Sequence, residues 1–252
     1  MKIEILGCSG GIGQGLKTTT FLIDDTLLVD AGTGVELLTM DRMLAIRDIV
    51  ITHAHLDHII GLPLMLATIY DQHQSPINIH GLPEVIDALK QHIFNWTVWP
   101  DYTCLPEEKP IIQLHTLAVG DQLNLQGKQI EVLPAAHPTP TVGYLVADQS
   151  GSFAFTGDSG LNDPIWPLLN TRNPDLLIID VSFTNEVEEL ARLSGHLTPN
   201  QLAQQLAHYS GSGQIMITHL KPGFEKIILD QCLQLLPHRQ IDYLRHGSII
   251  NL

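Results

Sequence analysis

Thr52-His53-Ala54-His55-Leu56-Asp57-His58 follows the apolar run Asp48-Ile49-Val50-Ile51 and packs four candidate metal ligands into one short turn. Neutral imidazole nitrogen and carboxylate oxygen suit zinc and other borderline divalent ions. Buried together without a metal, three imidazoles and a carboxylate would leave several polar groups to satisfy. The spacing predicts two centres. His53 and His55 alternate along an extended segment and point to one, while Asp57 and His58 lie past a bend and reach a second.

Outward from this turn, strands end in polar loops with helices between them. Lys2 to Leu6 alternates as a strand, Gly7 to Gly13 breaks it, and Thr18–Ile23 with Thr26–Val29 reads as a hairpin turning at Asp24-Asp25. Val35 to Met43, Gly61 to Tyr70 and Pro83 to Phe94 read as helices, and Ile77 to His80 as a strand. Gln129-Ile130-Glu131-Val132-Leu133 echoes Lys2-Ile3-Glu4-Ile5-Leu6, and Gln214 to Leu220 echoes Asp48 to Ala54. Such a repeat predicts two similar β/α halves with their loops at one end, a two-sheet sandwich covered by helices. It also directs the search for further ligands. His137, Asp158 and His219 each stand where a second-half strand gives way to a loop.

The H-x-H-x-D-H run, followed in order by His137, Asp158 and His219, resembles the metallo-β-lactamase superfamily over nearly the whole chain. The resemblance implies an α/β fold, a four-layered αβ/βα sandwich of two mixed sheets covered by helices, as one domain over residues 1–252. It further implies that His53, His55 and His137 bind one divalent metal, Asp57, His58 and His219 another, and that Asp158 bridges them. Zinc is the expected ion, and the N/O donor set also accommodates manganese and iron. His53 to Leu62 resembles the signature of the class II 3',5'-cyclic-nucleotide phosphodiesterases, with Pro63 standing where that signature has an aliphatic residue. Asp30-Ala31-Gly32-Thr33, Ser194 to Pro199 and Thr218 to Pro222 are similar to the same family, as is Asn95 with Trp99-Pro100-Asp101. Asp180 to Phe183 followed by Gly195-His196-Leu197-Thr198 is similar to the tRNA 3'-processing endonucleases, whose basic arm has no counterpart here.

Two such metals would hold a bridging hydroxide and polarise a phosphoryl oxygen, so the nucleophile needs no serine or cysteine. Cys8 then reads as a small buried residue. His196 remains once the metal spheres are filled and is the expected proton donor to the leaving alkoxide. Asp180 ends the apolar strand Leu176–Ile179 and either orients that imidazole or supports a metal ligand. Asp57 counts with His196 and Asp180 as catalytic through its metal. Thr198 is placed to cap a helix starting at Pro199, and Asp30 to accept a proton from a ligand imidazole. Ser9-Gly10-Gly11 either presents N–H groups to a phosphate oxygen or packs tightly. Lys221 faces either the phosphate or surface carboxylates. Trp96, Trp99 and Tyr102 bracket a segment that either stacks a base or packs a homodimer interface.

Composition narrows the partners. The formal charge is −14, from 27 acidic and 13 basic residues, and the Lys and Arg are scattered. Long nucleic acid is disfavoured because it needs a basic stripe that displaces counterions, whereas a small phosphodiester held by metals is not. Three cysteines at unrelated spacings argue against a disulfide framework. No segment approaches a membrane span, and no signal-type n-region precedes Cys8, which gives an expectation of a cytoplasmic location. The resulting expectation is a metal-dependent hydrolase converting cAMP or cGMP to the 5'-monophosphate. The alternatives are a tRNA-processing-like or broad phosphodiesterase, a lactone or lactam hydrolase, and a silent metal-binding module.

Overall fold

Neighbouring apolar residues of one strand, Lys2–Gly7 (β1), enter different cores, and this division recurs through the chain, which the computed structural model describes from Met1 to Leu252. Ile3 and Ile5 pack between two sheets, while Leu6 packs outward against helices. Phe21 and Ile23 likewise face inward and Leu22 outward. Strands buried on both faces need cover on both faces, and three separate cores between four layers follow.

The first sheet has the order β14 (Ile249–Asn251), β1, β2 (Thr20–Ile23), β3 (Leu27–Val29), β4 (Asp48–Val50), β5 (Ile77–Gly81), β6 (Ile112–Thr116). The second runs β13 (Ile241–Tyr243), β12 (Gln214–Thr218), β11 (Leu176–Asp180), β10 (Ser152–Phe155), β9 (Val142–Ala147), β8 (Lys128–Pro134), β7 (Gln122–Leu125). Helices α1 (Met40–Ala45), α2 (Leu56–Ile59), α3 (Gly61–Ile69) and α4 (Pro83–Ala88) precede α5 (Ile165–Arg172), α6 (Glu188–Ser194), α7 (Pro199–Leu206) and α8 (Glu225–Leu235). Residues of α1, α3 and α4 pack on the first sheet, and those of α5, α7 and α8 on the second. This is the mixed two-sheet, helix-covered sandwich expected from the sequence. No helix is long and apolar enough to cross a membrane.

The two halves repeat in topology. From β1 to β6 the pairings run antiparallel, antiparallel, then three times parallel, and from β8 to β13 the same series recurs. The echo of β1 in β8 therefore joins equivalent strands. The echo of Asp48–Ala54 in Gln214–Leu220 does not, because β4 corresponds to β11 and β12 to β5.

Asp24 and Asp25 form the expected hairpin turn with φ of 43° and 60°, a conformation short polar side chains tolerate. The helix read over Val35–Met43 is two pieces, a 3-10 helix at Thr33–Leu37 and α1. Leu38 is extended between them, and the Thr39 side chain accepts from Arg42 N at 3.4 Å, so a cap interrupts an otherwise continuous apolar pattern. Past α4 the helix read to Phe94 continues as a π-helical turn, Leu89–Ile93. Tyr102 is buried, its ring 5.9 Å from Phe94 and 5.6 Å from Tyr70, so it belongs to the outer core rather than to a stacking platform or interface. Trp96 alone of that segment's aromatic residues is largely exposed. Between the sheets, the buried Tyr144 hydroxyl donates to the Ile51 carbonyl at 2.7 Å, fixing the backbone two residues before His53.

Candidate metal centre and catalytic dyad

Both sheets deliver side chains to one edge. Thr52 and His53 follow β4, His55 stands at the N-cap of α2, and Asp57 and His58 lie in its single turn. From the second sheet come His137 after β8, Asp158 after β10, Asp180 at the end of β11, and His219 directly after β12. His219 has φ of 63° and Asp30 has φ of 58°, left-handed conformations that a bulky residue adopts only when its surroundings enforce them. His196 lies between Gly195, which ends α6, and Thr198, which caps α7 with a reciprocal box to Gln201.

The seven candidate ligands come together as the sequence suggests. One ligand atom from each of His53, His55 and His137 lies within 4.8 Å of the others, and Asp57, His58 and His219 form a second such set. Asp158 stands between them. Its Oδ2 is 3.3 Å from His58 Nε2, 3.3 Å from His219 Nε2 and 3.7 Å from His53 Nε2. Asp57 Oδ2 lies 3.2 Å from His219 Nε2.

The second nitrogens of these rings are held by acceptors, which sets their tautomers. His58 Nδ1 donates to Asp30 Oδ2 at 2.7 Å, and His53 Nδ1 to the Thr52 hydroxyl at 3.0 Å. Thr52 in turn donates its hydroxyl and its amide to Asp30, both at 2.8 Å. His137 Nδ1 donates to the Gly195 carbonyl at 3.0 Å, and His219 Nδ1 to Ser182 Oγ at 2.8 Å. The Nε2 lone pairs therefore face one another and the carboxylates. His53 Nε2, His58 Nε2 and Asp158 Oδ1 are buried with no hydrogen-bond partner. Buried polar atoms left so are rare and costly, and a pair of divalent cations would satisfy them. The donor set thus fits the divalent metals expected for it.

The electrostatics agree with this geometry. Burial, with the charge of His58 beside it, pushes His53 well below its usual range, so its ring is neutral. Burial works against a charge on His58, yet Asp158 and Asp30 raise it well above the usual value. Burial also opposes ionisation of Asp158, and His219 and His58 nonetheless hold it well below the carboxylate range.

His196 stands apart from both sets. Its Nδ1 is 2.6 Å from Asp180 Oδ2, so Nε2 is the nitrogen left for the site, and one of its nitrogens lies within 4.8 Å of ligand atoms of His137 and Asp158. Burial disfavours its charged form, but the Asp180 carboxylate raises it above the usual histidine value. Ser182, to which the sequence assigned no role, completes this arrangement. Its hydroxyl donates to Asp180 Oδ1 at 2.7 Å while accepting from His219, joining the dyad to the second ligand set. Thr52 does the same for the first sheet. Thr139 Oγ1 is 2.9 Å from His55 Nε2, leaving that ring's Nδ1 toward His137 at 3.4 Å. A small hydroxyl residue one or two positions from a site residue at a strand end was the available signal.

The expected phosphate contacts of Ser9 and Gly10 are corrected. Ser9 N donates to the Lys17 carbonyl at 2.9 Å and Gly10 N to the Leu220 carbonyl at 3.1 Å, so neither amide is free. A Cβ on Gly10 would stand 2.3 Å from the His219 carbonyl oxygen, so this glycine permits close packing behind a ligand. Lys221 pairs with no surface carboxylate. Its Nζ donates to the Gly10 carbonyl at 2.9 Å and lies 5.3 Å from the centre of the Phe183 ring. Cys8 is buried, and burial pushes its thiol up to about 12, which removes it as a nucleophile.

Comparison with known proteins follows the same lines. The chain is 28% identical to a probable 3',5'-cyclic-nucleotide phosphodiesterase of Yersinia pestis, over 92% of this chain and 83% of that protein. Its fold is similar to that of unliganded yeast PDE1, with a TM-score of 0.85 and 20% identity over 100% of this chain and 99% of the other. Human tRNase Z, short form, is similar with a TM-score of 0.72 and 19% identity, over 100% and 99%. A family model described as the beta-lactamase superfamily domain matches residues 25–220, which include every candidate ligand and both members of the dyad. The chain therefore belongs to the β-lactamase superfamily, in its metallo-β-lactamase fold.

Proposed function

We propose that the protein is a metal-dependent phosphodiesterase that hydrolyses 3',5'-cyclic nucleotides to nucleoside 5'-monophosphates. The observation that carries this reading is the His196–Asp180 dyad, a buried, acceptor-held imidazole beside the ligand sets but outside them. Hydrolysis of an alkyl phosphodiester expels a poor leaving group, and a positioned proton donor answers that need.

When bound, two divalent ions supply Lewis acidity toward a phosphoryl oxygen and a hydroxide nucleophile near neutral pH. His53, His55 and His137 would hold one ion, Asp57, His58 and His219 the other, and Asp158 both. Asp30, Thr52 and Ser182 keep the protons of the ligand imidazoles on the outward nitrogens, so that the inward lone pairs stay available. His196 carries its proton on Nε2 and delivers it to the 3'-oxygen as the ester bond breaks. Asp180 stabilises the imidazolium before transfer and fixes the ring's orientation.

The relatives named for cyclic-nucleotide hydrolysis support the substrate class. A tRNA 3'-processing activity shares the fold, but a charge of −14 without a basic cluster argues against a tRNA ligand. The test is metal analysis of the purified protein followed by turnover of cAMP, cGMP, a nitrophenyl phosphodiester, a lactone, nitrocefin and tRNA. Turnover of the cyclic nucleotides with metal bound is expected. Salt-sensitive tRNA binding with 3'-end cleavage, or lactone turnover with inert cyclic nucleotides, would overturn the reading.

A further inference from the structure

An apolar cavity of about 210 Å³ opens beside the dyad. Phe183, Val187, Leu190 and Phe224 form its walls, and Ser182 and Lys221 stand at its inner end. Val187, Leu190 and Phe224 are 40%, 52% and 49% exposed, an unusual amount of large apolar surface in one place for side chains with no protein partner. Two of its lining residues also contact the dyad and a candidate ligand. Ser182 Oγ touches His219 and lies 3.3 Å from His196 Nδ1, and the Phe183 ring lies 5.8 Å from the His196 ring.

We infer that this cavity receives the nucleobase of the substrate, stacked on Phe183 and Phe224. The inference rests on the phosphodiesterase reading above. Whole-ligand pockets typically run from about 300 Å³ upward, so this space suits one planar ring system rather than a complete nucleotide. Its exposed wall is mostly apolar, with Ser182, Thr184 and Lys221 as its only polar residues, which disfavours the phosphate and the sugar hydroxyls and favours a flat heteroaromatic face, for which two phenyl rings are the natural partners. With stacking as the only recognition, purine bases gain most, and adenine and guanine are poorly told apart.

The test compares cAMP with the 3',5'-cyclic phosphate of a ribose lacking a base, on the metal-loaded enzyme and on Phe224→Ala and Phe183→Leu. The unaltered enzyme is expected to favour cAMP in kcat/KM, mainly through KM. Loss of one aromatic wall should reduce that preference between about fivefold and a hundredfold, the range for removing one base-stacking side chain. The ratio of the two substrates is read within each preparation, so partial misfolding does not imitate the effect. An unaltered enzyme that cleaves both substrates equally well, or variants that leave the ratio unmoved, would overturn the assignment. A changed oligomeric state with an unmoved ratio would also overturn it and give this face to a subunit contact. Failure to cleave either cyclic phosphate would instead refute the phosphodiesterase reading, and this inference with it.

Discussion

Replacement of His196 by alanine separates proton donation from metal binding. The ring is 7% exposed, held at 2.6 Å by Asp180, and stacked on His219 at 5.0 Å between centroids with 16° between planes. Its Nδ1 is committed to Asp180 and it is not one of the seven residues assigned to the two ions, although one of its nitrogens lies within 4.8 Å of ligand atoms of His137 and Asp158; on that assignment His196→Ala is expected to retain the metals. A positioned general acid contributes about 10² to 10⁴ in rate, or about 3 to 5 kcal/mol of barrier. The full loss should fall on cAMP, whose 3'-alkoxide leaves only with a proton. A diester with a nitrophenolate leaving group needs little protonation and should lose tenfold or less. Both rates are measured on one preparation, together with metal content and a thermal melt. Equal losses on the two substrates with metals intact would mean that His196 only positions the substrate. Loss of metal would mean that it belongs to the coordination sphere.

Asp158→Asn keeps the shape of the shared carboxylate and removes its charge. Metal affinity should fall by at least about a hundredfold, since loss of a residue merely supporting a ligand costs 10- to 100-fold, and titration showing full metal content would remove Asp158 from the centre. Gly195 has φ of 72°, and a Cβ there would stand 2.3 Å from Pro138 Cδ and 2.9 Å from His137 Nδ1. Gly195→Ala should cost at least about 1 kcal/mol by denaturant melt and should also weaken metal binding through His137, and an unchanged melt would refute the strain. Lys128 pairs with Asp148 at 2.8 Å and also with Asp24, so it ties the second sheet to the β2–β3 turn of the first. Its hydrogen bond lowers Asp148, and it lowers Asp24 against a desolvation that burial imposes. A depressed carboxylate stabilises the fold above its unfolded value near 3.9 and loses that contribution as pH falls through its folded value. Lys128→Met should therefore cost about 1 kcal/mol at pH 7, and its deficit relative to the unaltered protein should shrink below about pH 4. A deficit independent of pH would assign the loss to packing instead.

The first ligand cluster was legible because it is local: His53, His55, Asp57 and His58 are close in sequence, and one extended turn running into one helix turn suffices to aim them. His137, Asp158 and His219 were legible only as strand ends, and their meeting depends on how two sheets face each other. Ser182 and Thr52 escaped notice because a buried hydroxyl acquires a role only from what surrounds it. For the same reason sequence could not choose between the two readings of Ser9 and Gly10, since the acceptors of their amides, Lys17 and Leu220, come from distant backbone. Val35–Met43 was read as one helix because a 3-10 turn and an α turn bury nearly the same positions, although Thr39 carried the signal for a new start. The second sequence echo paired β4 with β12 because buried parallel strands ending in Thr-His look alike, and only hydrogen-bond order shows that β11 is the equivalent strand.

The division of the candidate ligands between the sheets has a consequence for how the molecule is made. His53, His55, Asp57 and His58 come with the first sheet, and His137, Asp158 and His219 with the second, so each ligand set draws on both. A chain in which only the N-terminal half has formed has no complete coordination sphere and no proton donor. If the candidate ligands hold the ions proposed for them, complete metal capture would follow the docking of the sheets, and the ion would act late in folding, as a lock on finished molecules rather than as a nucleus for unfinished ones. On the proposed function, a nascent chain would have no hydrolytic activity, and a bound ion would mark completed assembly.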